Sequence, residues 1–262
     1  MTIGIAIAVV TVIGFLGAVI LVLAAKFMAV EEDPRIEEVQ QCLPGANCGA
    51  CGYAGCADYA KAIVESGAPV NKCVPGGQSC SAQVAQVMGT TAEEAVQLKA
   101  VVGCQGKPGV CKQRFEYKGI GTCAAAAMLQ GGPKACSQSC LGLGDCERAC
   151  PFDAIHIVDG IAKVDYDRCT GCGACAKVCP HFVIDICGHT EGKPQVRCNS
   201  NEKGPQVMKE CDTGCIGCMK CEKTCPSDAI HVKDSLARID YERCTGCNAC
   251  VGVCPKKVII PA

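Results

Sequence analysis

Tryptophan is absent from the 262 residues, and Phe and Tyr number only five each, so no large aromatic core holds this chain together. Charge of one sign is missing too: Lys and Arg total 25 against 26 Asp and Glu. Binding to a phosphate backbone needs a clustered basic surface, and none occurs, which excludes nucleic acid as a partner. No G-x-G-x-x-G stands between a strand and a helix with an acid downstream, so no dinucleotide site is expected on this chain. Nor is there a nucleophile–base pair of the kind that covalent or acid–base catalysis requires.

What is abundant is cysteine, with 28 residues. Such a density fits either a disulfide scaffold or metal ligation in a reducing compartment. Spacing separates the two. Disulfide scaffolds are short chains with scattered cysteines, whereas most cysteines here fall in runs of C-x-x-C-x-x-C followed by C-P, the pattern of thiolates that hold iron–sulfur clusters.

Residues Ile3 to Ala25 form an uncharged apolar stretch of 23 residues, about 35 Å long as a helix and enough to span a bilayer core of roughly 30 Å. A secretory signal peptide would need a basic leading region and a shorter apolar run, so residues 1–28 are read as a single transmembrane anchor. Lys26 follows the span and no Lys or Arg precedes it, which places the rest of the chain on the cytoplasmic side. Cluster-bearing thiolates must stay reduced until the cluster is inserted, and that points to the same compartment.

Residues 31–100 form a first module. Cys48-Gly-Ala-Cys51-Gly-Tyr-Ala-Gly-Cys56, with Cys73 beside Pro75-Gly76-Gly77, supplies three close thiolates and one remote one, and Ala57 to Ser66 reads as a short helix over the site. Zinc is the competing metal, but this spacing lacks the paired knuckles of structural zinc sites. Cys42 and Cys80 complete no spacing and are read as ordinary buried thiols.

The second half repeats itself. Asp153-Ala-Ile-His156 matches Asp228-Ala-Ile-His231, and Asp165-Tyr-Asp-Arg-Cys-Thr-Gly-Cys172 matches Asp240-Tyr-Glu-Arg-Cys-Thr-Gly-Cys247, an offset of 75 residues. Matches this dense indicate a duplicated unit, here residues 136–186 and 211–262, with a linker over 187–210. The second copy carries Cys215-x₂-Cys218-x₂-Cys221-x₃-Cys225-Pro226 and Cys244-x₂-Cys247-x₂-Cys250-x₃-Cys254-Pro255, the bacterial two-cluster ferredoxin run, in which the fourth cysteine of each loop reaches the other cluster. The expected quartets are therefore Cys215, Cys218, Cys221 and Cys254, and Cys225, Cys244, Cys247 and Cys250. In the first copy, Cys150, Cys169, Cys172 and Cys175 form the equivalent of the latter. Leu143 stands where Cys218 would be, and Cys136, four residues before Cys140, is assigned in its stead, giving Cys136, Cys140, Cys146 and Cys179. Ala154–Val158 and Ala229–Val232 read as hairpin strands, with His156 and His231 facing solvent.

Residues 101–135 form a connector that leaves Cys104, Cys111 and Cys123 without a fourth partner. Either Cys198 or Cys211 is expected to complete a sixth quartet, with Cys187 surplus. The fold class is α+β: one transmembrane helix, a small four-cysteine module and two tandem ferredoxin-like units, each for two [4Fe–4S] clusters.

Taken together, the anchor, the Leu43-Pro-Gly-Ala-Asn-Cys-Gly-Ala-Cys-Gly-Tyr-Ala-Gly-Cys56 module with Cys73-Val-Pro-Gly-Gly77, and the ferredoxin repeats closely resemble the B subunit of the Rnf complex, the ion-translocating ferredoxin:NAD⁺ oxidoreductase of bacteria. The doubled ferredoxin unit is similar to the longer form found in clostridia and acetogens. The resemblance implies an electron-transfer subunit, single-pass in the cell membrane, that accepts electrons from soluble ferredoxin and passes them to partner subunits. NAD⁺ would be reduced elsewhere and Na⁺ or H⁺ translocated. A related reading is the electron-accepting subunit of another membrane enzyme, such as a hydrogenase or a corrinoid-linked complex, and a remoter one a membrane-tethered zinc or disulfide module.

Overall fold

The computed structural model describes residues 2–27, 33–92, 97–188 and 190–261. Helix α1 runs over Thr2–Phe27. Its described side chains are Gly4 and residues 11–23, all exposed, and among the described residues no helix is long and apolar enough to cross a membrane. The span expected over Ile3 to Ala25 thus lies in part outside the described residues.

Three helices make the first module. Asp33 caps α2 (Pro34–Cys42), accepting from the Arg35 N–H at 2.9 Å, with proline in the first turn, where its missing N–H costs nothing. Helix α3 (Cys56–Ser66) stops at Gly67 and α4 (Gly77–Met88) at Gly89, both left-handed, the usual glycine stop. Ile36, Val39, Tyr59, Ala60, Ile63, Cys80 and Val84 are buried together between them. The Tyr59 hydroxyl donates to the Pro69 carbonyl at 2.7 Å and accepts from the Lys72 N–H at 3.1 Å, which fixes the turn that carries Cys73.

Each ferredoxin-like unit is a hairpin plus a strand borrowed from upstream. Strand β1 (Leu98–Val102) leaves the module, and connector helix α5 (Cys123–Met128) and α6 (Asp145–Arg148) precede the hairpin β2 (Ile155–Val158) and β3 (Ile161–Val164). Helix α7 (Ala174–Lys177) leads to β4 (Ile184–Gly188), which pairs antiparallel with β1, Leu98 opposite Gly188 and Val102 opposite Ile184. In the second unit β5 (Gln195–Val196) and α8 (Gly204–Glu210) come first, followed by α9 (Lys220–Thr224), the hairpin β6 (Ile230–Lys233) and β7 (Leu236–Ile239), α10 (Ala249–Val253), and β8 (Ile259–Ile260), which pairs with β5. The β2–β3 turn is Asp159-Gly160, both at positive φ, the two-residue turn whose twist suits a hairpin. Asp234-Ser235 takes the same form between β6 and β7.

Gly142 and Gly171 sit in loops that bear cysteines. Both have positive φ, and a Cβ at Gly142 would meet the Gly160 carbonyl oxygen at 2.2 Å, while one at Gly171 would meet that of Leu98 at 2.3 Å. These loops close down on neighbouring backbone where only glycine fits.

Candidate functional site

All 28 cysteines are free, so a disulfide scaffold does not describe this fold. Among the described residues no three His, Cys, Asp or Glu side chains converge tightly enough for a single ion. The cysteines instead ring small cavities, an arrangement suited to a cube of iron and sulfide.

In the second unit, one cavity is lined by Cys215, Cys218, Cys221 and Cys254, and another by Cys225, Cys244, Cys247 and Cys250. Cys254 comes from the loop of the second quartet and Cys225 from that of the first, so the two are cross-tied. In the first unit, Cys169, Cys172 and Cys150 surround Cys175, whose pKa rises to about 11, chiefly through burial and then through these three thiols.

The partner site in the first unit departs from expectation. Its cavity is lined by Cys123, Cys140, Cys146 and Cys179; Cys136 is not among them. Thr122 caps α5, its hydroxyl accepting from the Ala125 N–H, and the Ala124 N–H donates to Asp145 Oδ2 at 3.0 Å. Leu143 and Leu141 pack with Cys123 and Ala126. The residue that replaces the missing thiolate in the repeat is therefore the apolar seat of the helix that delivers Cys123. Burial pushes Cys146 up to about 12, followed by the nearby Cys140, Cys123 and Cys179.

Cys136 faces elsewhere. The connector pairs Gln113 with Lys134 and the Ala135 N–H donates to the Lys112 carbonyl at 2.7 Å, which turns Cys136 toward Cys111. Cys104, Cys111, Cys136, Cys198 and Cys211 all line one cavity. Cys198 and Cys211, offered as alternatives by the sequence, are both present, with Cys123 absent. Cys111 and Cys211 form an antiparallel bridge. The two thiols interact, which pulls the Cys211 pKa down to about 6 and pushes that of Cys111 up, and the Cys111 Sγ donates to the Lys112 carbonyl at 3.7 Å. The cavity is small, about 20 Å³, as are the three ferredoxin-like cavities at about 20, 20 and 10 Å³.

Backbone N–H groups aim at the sulfurs throughout: Ala154 to Cys150 and Ala229 to Cys225 at 3.3 Å, Val258 to Cys254, Ala100 to Cys169 and Ala162 to Cys140 at 3.4 Å. Such donors stabilise sulfur-borne negative charge and set cluster potentials. Burial holds Cys136, Cys140, Cys198 and Cys221 near 11, so these thiols release protons when they bind metal.

Lys134 was not anticipated. It is 4% exposed, and its Nζ donates to the carbonyls of Cys140, Gly106 and Gly160 at 2.6, 2.7 and 3.2 Å. Three carbonyl acceptors use all three donors of an ammonium group.

In the first module, Cys73 is buried with Cys80 among packed Cys42, Cys51 and Cys56. A Cβ on Gly76 would lie 2.7 Å from the Cys80 sulfur and 3.1 Å from that of Cys73. The hydrogen bond from Cys80 lowers Cys73 to about 7. Gly49, beside Cys48, faces the first ferredoxin-like unit, where a Cβ would lie 3.9 Å from the Lys177 Nζ. Cys187 sits on β4, outside these groups, opposite Lys99. His156 and His231 occupy matching hairpin positions, beside Glu147 at 3.2 Å and Glu222 at 3.4 Å, away from the cavities. His181 donates from Nδ1 to the Ser139 carbonyl at 2.6 Å.

Residues 43–75 match an Fe-S cluster family, residues 162–185 the 4Fe-4S binding domain and residues 214–258 the 4Fe-4S dicluster domain. The chain is 45% identical to the B subunit of the ion-translocating oxidoreductase complex of Methanosarcina acetivorans, over 97% of its own length and 96% of that protein. It is 41% identical to the B subunit of the Na(+)-translocating ferredoxin:NAD(+) oxidoreductase complex of Acetobacterium woodii, over 95% of this chain and 74% of that one. With the proton-translocating counterpart from Clostridium ljungdahlii it shares 44% identity over 96% and 89%.

Proposed function

This chain belongs to the B-subunit family of ion-translocating oxidoreductase complexes, and we propose from that membership that it takes electrons from reduced soluble ferredoxin and relays them toward NAD⁺ reduction on partner subunits, coupled there to Na⁺ or H⁺ movement. It is an electron-transfer subunit with 4Fe-4S binding domains. The observation that carries the reading is the set of thiol-lined cavities with inward-facing N–H groups.

Six [4Fe–4S] clusters are proposed. Their ligands are Cys48, Cys51, Cys56 and Cys73; Cys123, Cys140, Cys146 and Cys179; Cys150, Cys169, Cys172 and Cys175; Cys215, Cys218, Cys221 and Cys254; Cys225, Cys244, Cys247 and Cys250; and four of Cys104, Cys111, Cys136, Cys198 and Cys211. Bound there, each cluster supplies one-electron chemistry and no bond is made or broken. The chain's own groups set the conditions for it. Thiolates would hold the metal, and N–H donors would favour the reduced charge. Helix α1 is proposed as the membrane anchor, a reading supported by the exposed apolar side chains of Val12, Ile13, Phe15 and Leu16, with the rest of the chain on the cytoplasmic side.

The test is iron and acid-labile sulfide analysis of anaerobically purified full-length protein. Six four-iron sites require roughly 24 iron atoms per chain and a brown protein that bleaches on reduction. Colourless protein containing zinc would overturn the reading.

A further inference from the structure

We propose that the five-thiol cavity is the electrical junction between the two ferredoxin-like units, joining the six sites into one unbranched line. The order, each group named by one cysteine, is Cys48, Cys169, Cys140, Cys104, Cys215, Cys244. This rests on the cluster reading above and extends it to connectivity, which no family match assigns, since residues 104–146 lie outside all three matched segments.

The line is built from contacts between neighbouring groups. Cys51 and Cys73 of the first module share a groove with Cys169 and Thr170 of the first unit, and a Cβ on Gly49, beside Cys48, would lie 3.9 Å from the Lys177 Nζ of that unit. Lys99, on the strand leaving the module, donates from Nζ to the Cys169 carbonyl at 2.8 Å, and the next residue's N–H reaches the Cys169 sulfur. Within each unit the cross-ties join the two sites: Cys150 follows the loop of Cys140 and Cys146, and Cys179 follows the loop of Cys169 to Cys175.

The junction is touched by equivalent residues of both units. Cys140 and Cys215 occupy the same repeat position, 75 residues apart. The Cys140 N–H donates to the Cys104 sulfur at 3.3 Å, and the Cys215 N–H donates to the Cys198 sulfur at 3.3 Å. A single residue on each side is thus both a thiol of its own group and a hydrogen-bond donor to a thiol of the junction. Each contact places two groups one residue apart, and tunnelling rates fall steeply with separation, so electrons pass between the units here. With clusters bound, one electron would leave one cluster as the next gained it, with no bond made or broken.

Lys134 supplies the charge this arrangement needs. Two adjoining thiolate groups repel one another in a medium of low dielectric, and the buried ammonium lies against backbone carbonyls of both, at Cys140 on one side and Gly106, two residues from Cys104, on the other.

The test uses the full-length protein, purified anaerobically, with the double variant Cys104→Ala/Cys198→Ala. Three thiols remain at the junction, so its four-iron cluster is either lost, lowering iron by about one sixth, or left as a three-iron form that electron paramagnetic resonance detects. Rapid mixing with reduced ferredoxin should then give fast bleaching of only part of the visible absorbance, the two or three sites on the donor's side, with the remainder slowed at least tenfold. Cys187→Ala is the control and should match the parent. Loss of one sixth of the iron with fast bleaching of every remaining site would overturn the junction while leaving the cluster reading intact. Unchanged iron with no three-iron signal would show that the cavity holds no cluster, and an iron-free parent would remove the cluster reading itself. If the double variant fails to assemble, Lys134→Met decides: full iron with slowed transfer between halves supports the junction, and parental rates at full iron refute it.

Discussion

The backbone N–H of Cys140 points at the sulfur of Cys104 from 3.3 Å, across 36 positions of sequence. Cys104 also accepts from the Gly106 N–H at 3.3 Å, so this sulfur collects two donors before any metal is considered. A buried sulfur with two backbone donors is placed to ligate rather than to fill space.

Replacement of Cys123 separates the structural assignment from the sequence-based one. Cys123→Ala should cost the first unit its Cys140 cluster or convert it to a three-iron form. Cys136→Ala should leave that cluster intact, because Cys136 lines the other cavity, where four thiols would remain. Iron analysis and low-temperature electron paramagnetic resonance of the two variants check this. The reverse pattern would return Cys136 to the first unit's site.

Cross-tying makes a second variant informative. Cys254→Ser is expected to perturb the cluster of Cys215, Cys218 and Cys221 although it follows the loop of Cys244 to Cys250. Spectra in which only the latter cluster responds would contradict the topology.

Removing residues 1–28 should release a soluble brown protein with undiminished iron, since every proposed ligand lies beyond them. Ultracentrifugation with iron analysis reads the outcome. A colourless product assembled anaerobically would mean that the segment contributes to cluster insertion or folding.

Gly142→Ala tests the close approach of the loop to the β2–β3 turn. The positive φ and the 2.2 Å encounter with the Gly160 carbonyl should together destabilise the first unit by about 2 kcal/mol or more. Thermal unfolding under anaerobic conditions should show a midpoint several degrees lower, and an unchanged midpoint would mean that the turn moves aside freely.

The duplication and its hairpins were legible in the sequence because they rest on local rules: the repeated motifs, cysteine spacing and short strand segments beside them. Cys123 was not legible. Its place depends on α5 packing against Leu143, a contact that spacing does not encode, and the loss of a cysteine at 143 made Cys136 the nearest substitute along the chain. The Gln113–Lys134 bridge turns Cys136 away. Lys134 gave no warning either, since a lysine in Gly-Pro-Lys-Ala reads as an exposed loop residue until three carbonyls surround it. Strands β1 and β5 are short and lie outside the repeats, so their pairing with β4 and β8 emerged only in three dimensions.

Those two borrowed strands also impose an order on biosynthesis. A growing chain folds from its N-terminus as it is made, and β1 precedes β4 while β5 precedes β8. The partner of each unit's closing strand has therefore left the ribosome before that strand is translated, so β1 and β5 wait unpaired and each sheet closes only when β4 or β8 emerges. The five-thiol cavity waits likewise, because Cys104, Cys111 and Cys136 are made long before Cys198 and Cys211. A nascent chain that has completed its first ferredoxin-like unit holds an open half-site until the linker arrives, so the connection between the halves is assembled late, after one of the units it joins already exists.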